Sequence, residues 1–172
     1  MAERLPQRHP APPLTLLFIC THNRCRSILC EAIARHMSDG HIAAFSAGSQ
    51  PAGVIHPDTL RHLEARGIGT AGLRSESWDA FDMLSPDAVI TVCDSAAGEQ
   101  CPLWFADTVK VHWGLPDPSS VDGTEEQRSR AFAAVIDTIE RRIGQLLQVD
   151  AAHRLSPDAL RGVLESAARE GD

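Results

Sequence analysis

The stretch Leu14-Thr15-Leu16-Leu17-Phe18-Ile19-Cys20-Thr21-His22-Asn23-Arg24-Cys25-Arg26-Ser27-Ile28-Leu29 decides how the rest of the chain is read. Leu14 to Ile19 is a short uncharged apolar run, the pattern of a strand buried on both faces. Ser27 to Met37 places Ile28, Leu29, Ala32, Ile33 and His36 at helical spacing, so a helix follows. Cys20 therefore sits on the turn between a strand and a helix. The N–H groups of such a turn and the helix N-terminus converge on one spot, and that spot favours an anion. The same dipoles stabilise a thiolate, so Cys20 reads as a nucleophile at the edge of an anion cradle. Arg26 adds a planar fork of donors that matches a tetrahedral oxyanion. Thr21, His22, Asn23, Arg24, Cys25 and Arg26 form the expected oxyanion-binding loop. It contains no glycine, and Asn23 is the residue expected to take a left-handed backbone there. A lone loop cysteine is commonly only a small buried hydrophobe. Here the cysteine, the arginine, the following serine and the strand-to-helix context coincide, which favours chemistry.

Outward from this unit, Ile42 to Phe45 reads as a second strand ending in Ser46-Ala47-Gly48. His56-Pro57-Asp58 opens a helix that runs to Arg66, with Pro57 in its first turn and Gly67 ending it. Ala88 to Val92 and Thr108 to His112 read as a third and a fourth strand. Glu125 to Leu147 is a long amphipathic helix with Phe132, Val135, Ile136, Ile139, Ile143 and Leu146 on one side. Strands alternating with helices predict a single-domain, three-layer α/β/α fold around a parallel sheet of about four strands. Ligands in such sheets bind at the carboxyl ends of strands, where the Cys20 loop falls.

The chain has 172 residues, enough for one domain with a proper core, and a formal charge of −7. That charge, with no basic run to interrupt it, argues against nucleic acid as a partner. No apolar stretch is long enough to cross a membrane. Residues 1–13 are polar and proline-rich and read as a flexible tail rather than a signal peptide. Residues 14–149 read as the working domain. Residues 150–172 read as a C-terminal extension in which Ser156-Pro157-Asp158 and the spacing of Leu160, Val163 and Leu164 allow a short helix. Five cysteines without a secretory signal imply a reducing, cytoplasmic setting in which thiols are catalytic or redox-active. Their spacing fits zinc poorly, and no metal is assigned.

Taken together, Cys20 to Ser27, Phe45 to Gly48, Val89 to Pro102 and His112-Trp113-Gly114-Leu115-Pro116-Asp117-Pro118 resemble the low-molecular-weight tyrosine phosphatase superfamily. Within it the chain is most similar to the arsenate reductases built on that fold. The resemblance implies a general acid at Asp117, since a departing oxygen leaves more easily once protonated. The plainer reading of Asp117-Pro118 is a turn, which those residues commonly make. Ser27 matches the serine that hydrogen-bonds the nucleophile. Some relatives bind potassium with residues like Asn23, Glu31 and Ser46, but Glu76 departs from the expected aspartate. His22 reads as solvent-facing, and His112 and Trp113 as packing that holds the acid loop. Trp78 and Trp104 default to the core.

Cys93 ends the third strand, on the same sheet edge as Cys20, and Cys101 follows across a small, polar segment that reads as mobile. The resemblance implies that Cys20 attacks arsenate, that Cys93 then attacks Cys20 and releases arsenite, and that Cys101 resolves the Cys20–Cys93 disulfide. It also implies an external thiol reductant and no tightly bound cofactor. The Cys93–Cys101 gap is a residue longer than in the thioredoxin-coupled members, so thioredoxin and glutathione with glutaredoxin both stay open. Phosphate and sulfate are expected mimics of arsenate. Cys25 and Cys30 read as packed. Two other functions compete: a phosphatase using Cys20, Arg26 and Asp117 alone, and a non-catalytic oxyanion or arsenical sensor.

Overall fold

The computed structural model describes residues 12–98, 102, 105, 107–149 and 155–169. Strands β1 (Leu14–Cys20), β2 (Ile42–Gly48), β3 (Ala88–Thr91) and β4 (Val109–His112) form one parallel sheet in the order β2-β1-β3-β4. The helices are α1 (Arg26–Ser38), α2 (Pro57–Ala65), α3 (Asp94–Ala97), α4 (Glu125–Leu147) and α5 (Pro157–Arg169). Short 3-10 turns cover Trp78–Phe81 and Pro118–Ser120. β1 is an interior strand, and Leu16, Leu17, Phe18 and Ile19 are all buried. That is why its sequence is apolar at successive positions instead of alternating.

From β1 the chain moves one way to β2, then returns across β1 to β3 and on to β4. α1 packs against β1 and β2, and α2, within the β2–β3 connection, packs on α1 and α4 with His62 stacked on Phe132. α4 packs on α1, and α5 packs on both α4 and β4, completing the helical layer on the α1 side. α4 starts in a capping box, with the Gln127 N–H donating to Thr124 Oγ1 at 3.1 Å and the Thr124 N–H to Gln127 Oε1 at 2.9 Å. The direction of travel reverses between β1 and β3. The carboxyl ends of those two strands therefore flank the crevice where open α/β sheets bind ligands. Cys20 ends β1 and Cys93 follows β3.

Three features differ from the sequence reading. β2 continues to Gly48 because its pairing with β1 continues, through Phe18 with Ser46, Ile19 with Ala47 and Cys20 with Gly48. A Cβ on Gly48 would lie 2.5 Å from the Thr21 carbonyl oxygen, so β2 can lie this close to the loop only as glycine. The segment after Cys93 begins as a helical turn, α3, because the Cys93 sulfur caps it by accepting the Ala96 N–H at 3.4 Å. Finally, the stretch read as an extension carries the thirteen-residue α5, whose Leu160, Leu164 and Ala167 are buried in the common core. Trp113 locks it there, its indole N–H donating to the Leu164 carbonyl at 2.9 Å. Trp113 is fully buried and Trp78 lies edge-on to Phe105, whereas Trp104 and most of the N-terminal tail lie outside the described residues.

Two substitutions test this architecture. Leu164→Ala removes a side chain with no exposure from the seam between α5 and the sheet and should cost about 2–5 kcal/mol. Thermal unfolding should register a fall on the order of 10 °C. Gly48→Ala should cost about 1–3 kcal/mol by overpacking. It should also weaken phosphate binding by at least about tenfold, because relief of the clash must displace the Thr21 backbone. Calorimetric phosphate titration beside thermal unfolding measures both effects.

Candidate active site

Cys20, Thr21, His22, Arg24, Cys25, Arg26, Asp117 and Ser120 line a cavity of about 160 Å³ at the carboxyl edge of the sheet. Pockets for drug-sized ligands run to about 300–1,000 Å³, so this one suits a small ion. The loop carbonyls are drawn outward. Thr21 O accepts from Gln50 N, His22 O from Ala52 N and the Ser75 hydroxyl, and Arg24 O from His56 N and the Thr59 hydroxyl. A turn with its carbonyls held outside directs the N–H groups beyond Thr21 inward, the arrangement that receives an anion. The α1 N-terminus, whose N-cap Cys25 supplies no side-chain cap, faces the same way.

The Cys20 sulfur lies 2.9 Å from Ser27 Oγ, and both residues are buried. The direction of that hydrogen bond follows from its neighbours. Asn23 takes the left-handed backbone, φ 46°, and its Oδ1 accepts the Glu76 N–H at 2.8 Å, which fixes the orientation of the amide. Its Nδ2 then donates to Ser27 Oγ at 2.7 Å and to Ser46 Oγ at 3.0 Å. With its oxygen accepting from Asn23, Ser27 is free to donate to Cys20, which suits a thiolate. Ser46 likewise donates to Glu31 Oε1, and Glu31 also pairs with Arg35. Burial raises the Glu31 carboxyl above its ordinary range, opposed by Ser46 and Arg35.

Arg26 reaches from the loop to the segment after β4. Its Nη1 donates to the Leu115 carbonyl at 3.1 Å, and its Nη2 lies 3.7 Å from Asp117 Oδ2. Asp117 also accepts from the Ser119 N–H and hydroxyl and from the Ser120 hydroxyl. Burial pushes the Asp117 carboxyl upward, but the hydrogen bonds from Ser119 and Ser120, followed by Arg26, outweigh it and leave the group below its ordinary range. Asp117 thus both caps the Pro118–Ser120 turn and faces the cavity. The turn offered as the plainer reading of Asp117-Pro118 is present, and the Asp117 carboxyl faces the cavity as well.

Cys93 is buried, and its sulfur accepts the Thr21 N–H at 3.4 Å and lies 3.6 Å from the Thr21 hydroxyl. The fold thus brings a second thiol against the residue next to Cys20. Cys25 is buried beside Thr59, and burial pushes its thiol up to about 12. Burial raises the Cys30 thiol as well, and Cys30 is wholly enclosed in α1. Cys101 lies outside the described residues. His22 is exposed, with its ring against the Gln50 carbonyl. The sequence reading misses the close fit at Gly48, the backbone clamps from Gln50, Ala52 and His56, and Ser120 in the cavity wall. The Asp117-Pro118-Ser119-Ser120 run carries a turn signature that could have found Ser120. The clamps use main-chain groups, which no side chain advertises.

Known proteins resemble this chain in sequence and in fold. The family model described as low molecular weight phosphotyrosine protein phosphatase matches residues 15–157. The chain is 33% identical to the arsenate reductase of Shouchella clausii over 74% of its own length and 91% of that protein. It is 30% identical to the arsenate reductase of Bacillus subtilis, over 77% and 94% of the two chains. Among solved structures, an arsenate reductase in the phosphate binding state superposes with a TM-score of 0.65 at 27% identity, covering 78% of this chain and 96% of that one. A thioredoxin-dependent arsenate reductase of Corynebacterium glutamicum gives 0.61 at 28%, covering 81% and 63%. With the family model running through every strand of the sheet, the chain belongs to the low molecular weight phosphotyrosine protein phosphatase family.

Proposed function

We propose that this chain is an arsenate reductase whose working domain is residues 14–149 with α5 packed on it. The observation that carries the reading is the buried Cys93 thiol against Thr21, one residue from Cys20. Phosphate-ester hydrolysis by Cys20, Arg26 and Asp117 leaves that thiol without a role, and a binding-only sensor has no use for the acid. Similarity to arsenate reductases supports the same choice.

In this mechanism the loop N–H groups and Arg26 hold arsenate in the cavity. The Cys20 thiolate, steadied by Ser27, forms a sulfur–arsenic bond as one arsenic oxygen leaves as water, protonated from Asp117. Cys93 attacks the Cys20 sulfur, and the sulfur–arsenic electron pair stays on arsenic. Arsenic(V) becomes arsenic(III), and two thiols become the Cys20–Cys93 disulfide. Cys101 then attacks Cys93 and frees Cys20. An external thiol reductant closes the cycle. The thioredoxin dependence of the similar Corynebacterium glutamicum enzyme favours thioredoxin over glutathione with glutaredoxin. A relay that begins with free thiols belongs in a reducing compartment, the cytoplasm. Among the described residues no helix is long and apolar enough to cross a membrane.

The thiol series tests the relay. Cys20→Ser should abolish turnover, since a serine hydroxyl is not ionised near neutrality. Cys93→Ser should retain phosphate binding but make no arsenite, whereas Cys101→Ser should complete one turnover and stop with Cys20 bonded to Cys93. Arsenite release and disulfide mapping without added reductant distinguish these outcomes. Full multi-turnover reduction by all three variants would refute the relay.

The charge couple makes a separate prediction. An anion that draws Arg26 toward itself removes the counter-charge from Asp117 and adds a negative neighbour, so Asp117 should take up a proton on binding. In Cys20→Ser, which has no thiolate to confuse the titration, sulfate affinity should weaken as pH rises above the lowered carboxyl range of Asp117, by up to about tenfold per unit. Asp117→Asn in the same background should flatten that slope in calorimetric titrations. The lowered carboxyl acts oppositely on folding. Its stabilisation is present above the ordinary carboxylate range and is lost as pH falls through its lowered value.

A further inference from the structure

His112, the last residue of β4, touches two elements that flank Cys93. Its Nε2 lies 3.0 Å from Asp94 Oδ1, and its Nδ1 lies 2.8 Å from Thr91 Oγ1. A carboxylate only accepts, so Nε2 carries the hydrogen; in the neutral ring Nδ1 then accepts from the Thr91 hydroxyl. The bonds run in one direction, from Thr91 through the imidazole to Asp94. Thr91 is paired with His112 across the sheet, and Asp94 is the first residue of α3. The imidazole thus ties the first turn of α3 to the ends of β3 and β4. Gly114 makes room for it, since a Cβ there would stand 3.0 Å from His112 Nε2.

The turn held in this way is the one that Cys93 caps through its sulfur, and α3 is only four residues long. So short a helix has too few internal bonds to persist alone and depends on what anchors its ends. Cys93 is buried although Asp94 beside it is exposed, so the thiol is enclosed by a turn whose fastening lies at the surface. We infer that His112, acting through Asp94, is a positioning residue that holds the Cys93 thiol against the anion loop. His112 and Asp94 do not line the anion cavity and touch none of the groups assigned to arsenate binding. Exposed ion pairs contribute little to global stability, so the effect is local to α3. The assignment rests on the relay reading for its consequence in turnover, but not for its effect on Cys93.

The experiment measures iodoacetamide labelling of the reduced full-length protein, with Cys93 and Cys30 followed separately by peptide mass spectrometry. His112→Ala and Asp94→Ala should label Cys93 about tenfold faster than wild type, as expected for the loss of one anchoring bond from a locally opening segment. Cys30, wholly buried in α1, should be unchanged. His112→Gln, which keeps a donor for Asp94, should restore most of the protection. In single turnovers with arsenate, both alanine variants should form the Cys20–Cys93 disulfide about tenfold more slowly at an unchanged half-saturating arsenate concentration. Unaltered Cys93 labelling would overturn the inference. So would Cys30 labelling that rises in step with Cys93, since that signals general loosening. If wild type forms no Cys20–Cys93 disulfide, the reductase reading fails, while the labelling pattern still decides the role of His112.

Discussion

The anion loop keeps its shape because one buried side chain satisfies three separate elements at once. Asn23 accepts from the Glu76 backbone and donates to Ser27 on α1 and to Ser46 on β2. Its positive φ turns the loop without a glycine, a conformation that asparagine tolerates better than most residues. Because the amide is pinned at its oxygen, both hydrogens of its nitrogen are committed, and the Ser27 hydroxyl is left to donate toward Cys20. The orientation of a hydrogen bond at the nucleophile thus traces back to a backbone N–H more than fifty residues away in sequence. A buried polar network is costly when half satisfied and rigid when complete. Here the partners close from Glu76 to Cys20 and from Asn23 to Glu31.

The site is also balanced electrically. Arg26 leans toward the Leu115 carbonyl and Asp117, and Asp117 draws in the hydroxyls of Ser119 and Ser120. This arrangement keeps a guanidinium and a carboxylate compatible in a small cavity. It also gives an incoming oxyanion a definite competitor, since Asp117 holds part of the charge that the anion needs. Proton uptake by Asp117 would remove that competition and, in the proposed reaction, supply the proton for the leaving oxygen.

Two cysteines far apart in sequence come to neighbouring strand ends because the chain's direction of travel across the parallel sheet reverses between β1 and β3. Each cysteine ends or follows one of these neighbouring strands, so each arrives at the same crevice. Thr21 is the contact between them, placing its N–H on the Cys93 sulfur. α3, capped by that same sulfur, makes the second thiol part of a local fold that, in the proposed relay, holds Cys93 for its attack on Cys20 and opens only afterwards for Cys101. Such a short helix fits this use, because it opens at low cost.

Much of this was legible in the residues alone. The apolar run to Ile19, the helical spacing after Ser27 and the turn between them determine a strand–loop–helix unit with Cys20 and Arg26 on the turn. The alternation of strands and helices determines a parallel sheet, because each pattern has its own hydrophobic period. The reach of β2 to Gly48, the incorporation of α5 into the core and the start of α3 at Cys93 were decided only by tertiary contacts. Gly48 is demanded by the Thr21 carbonyl on a neighbouring element, and α5 is held by Trp113 from the end of β4. The outward clamps on the loop carbonyls, the Asn23 orientation and the His112–Asp94 contact depend in the same way on groups distant in the chain. Periodicity reports which face of an element is buried, whereas the partner that buries it, and the direction of each hydrogen bond there, exist only once the elements have packed.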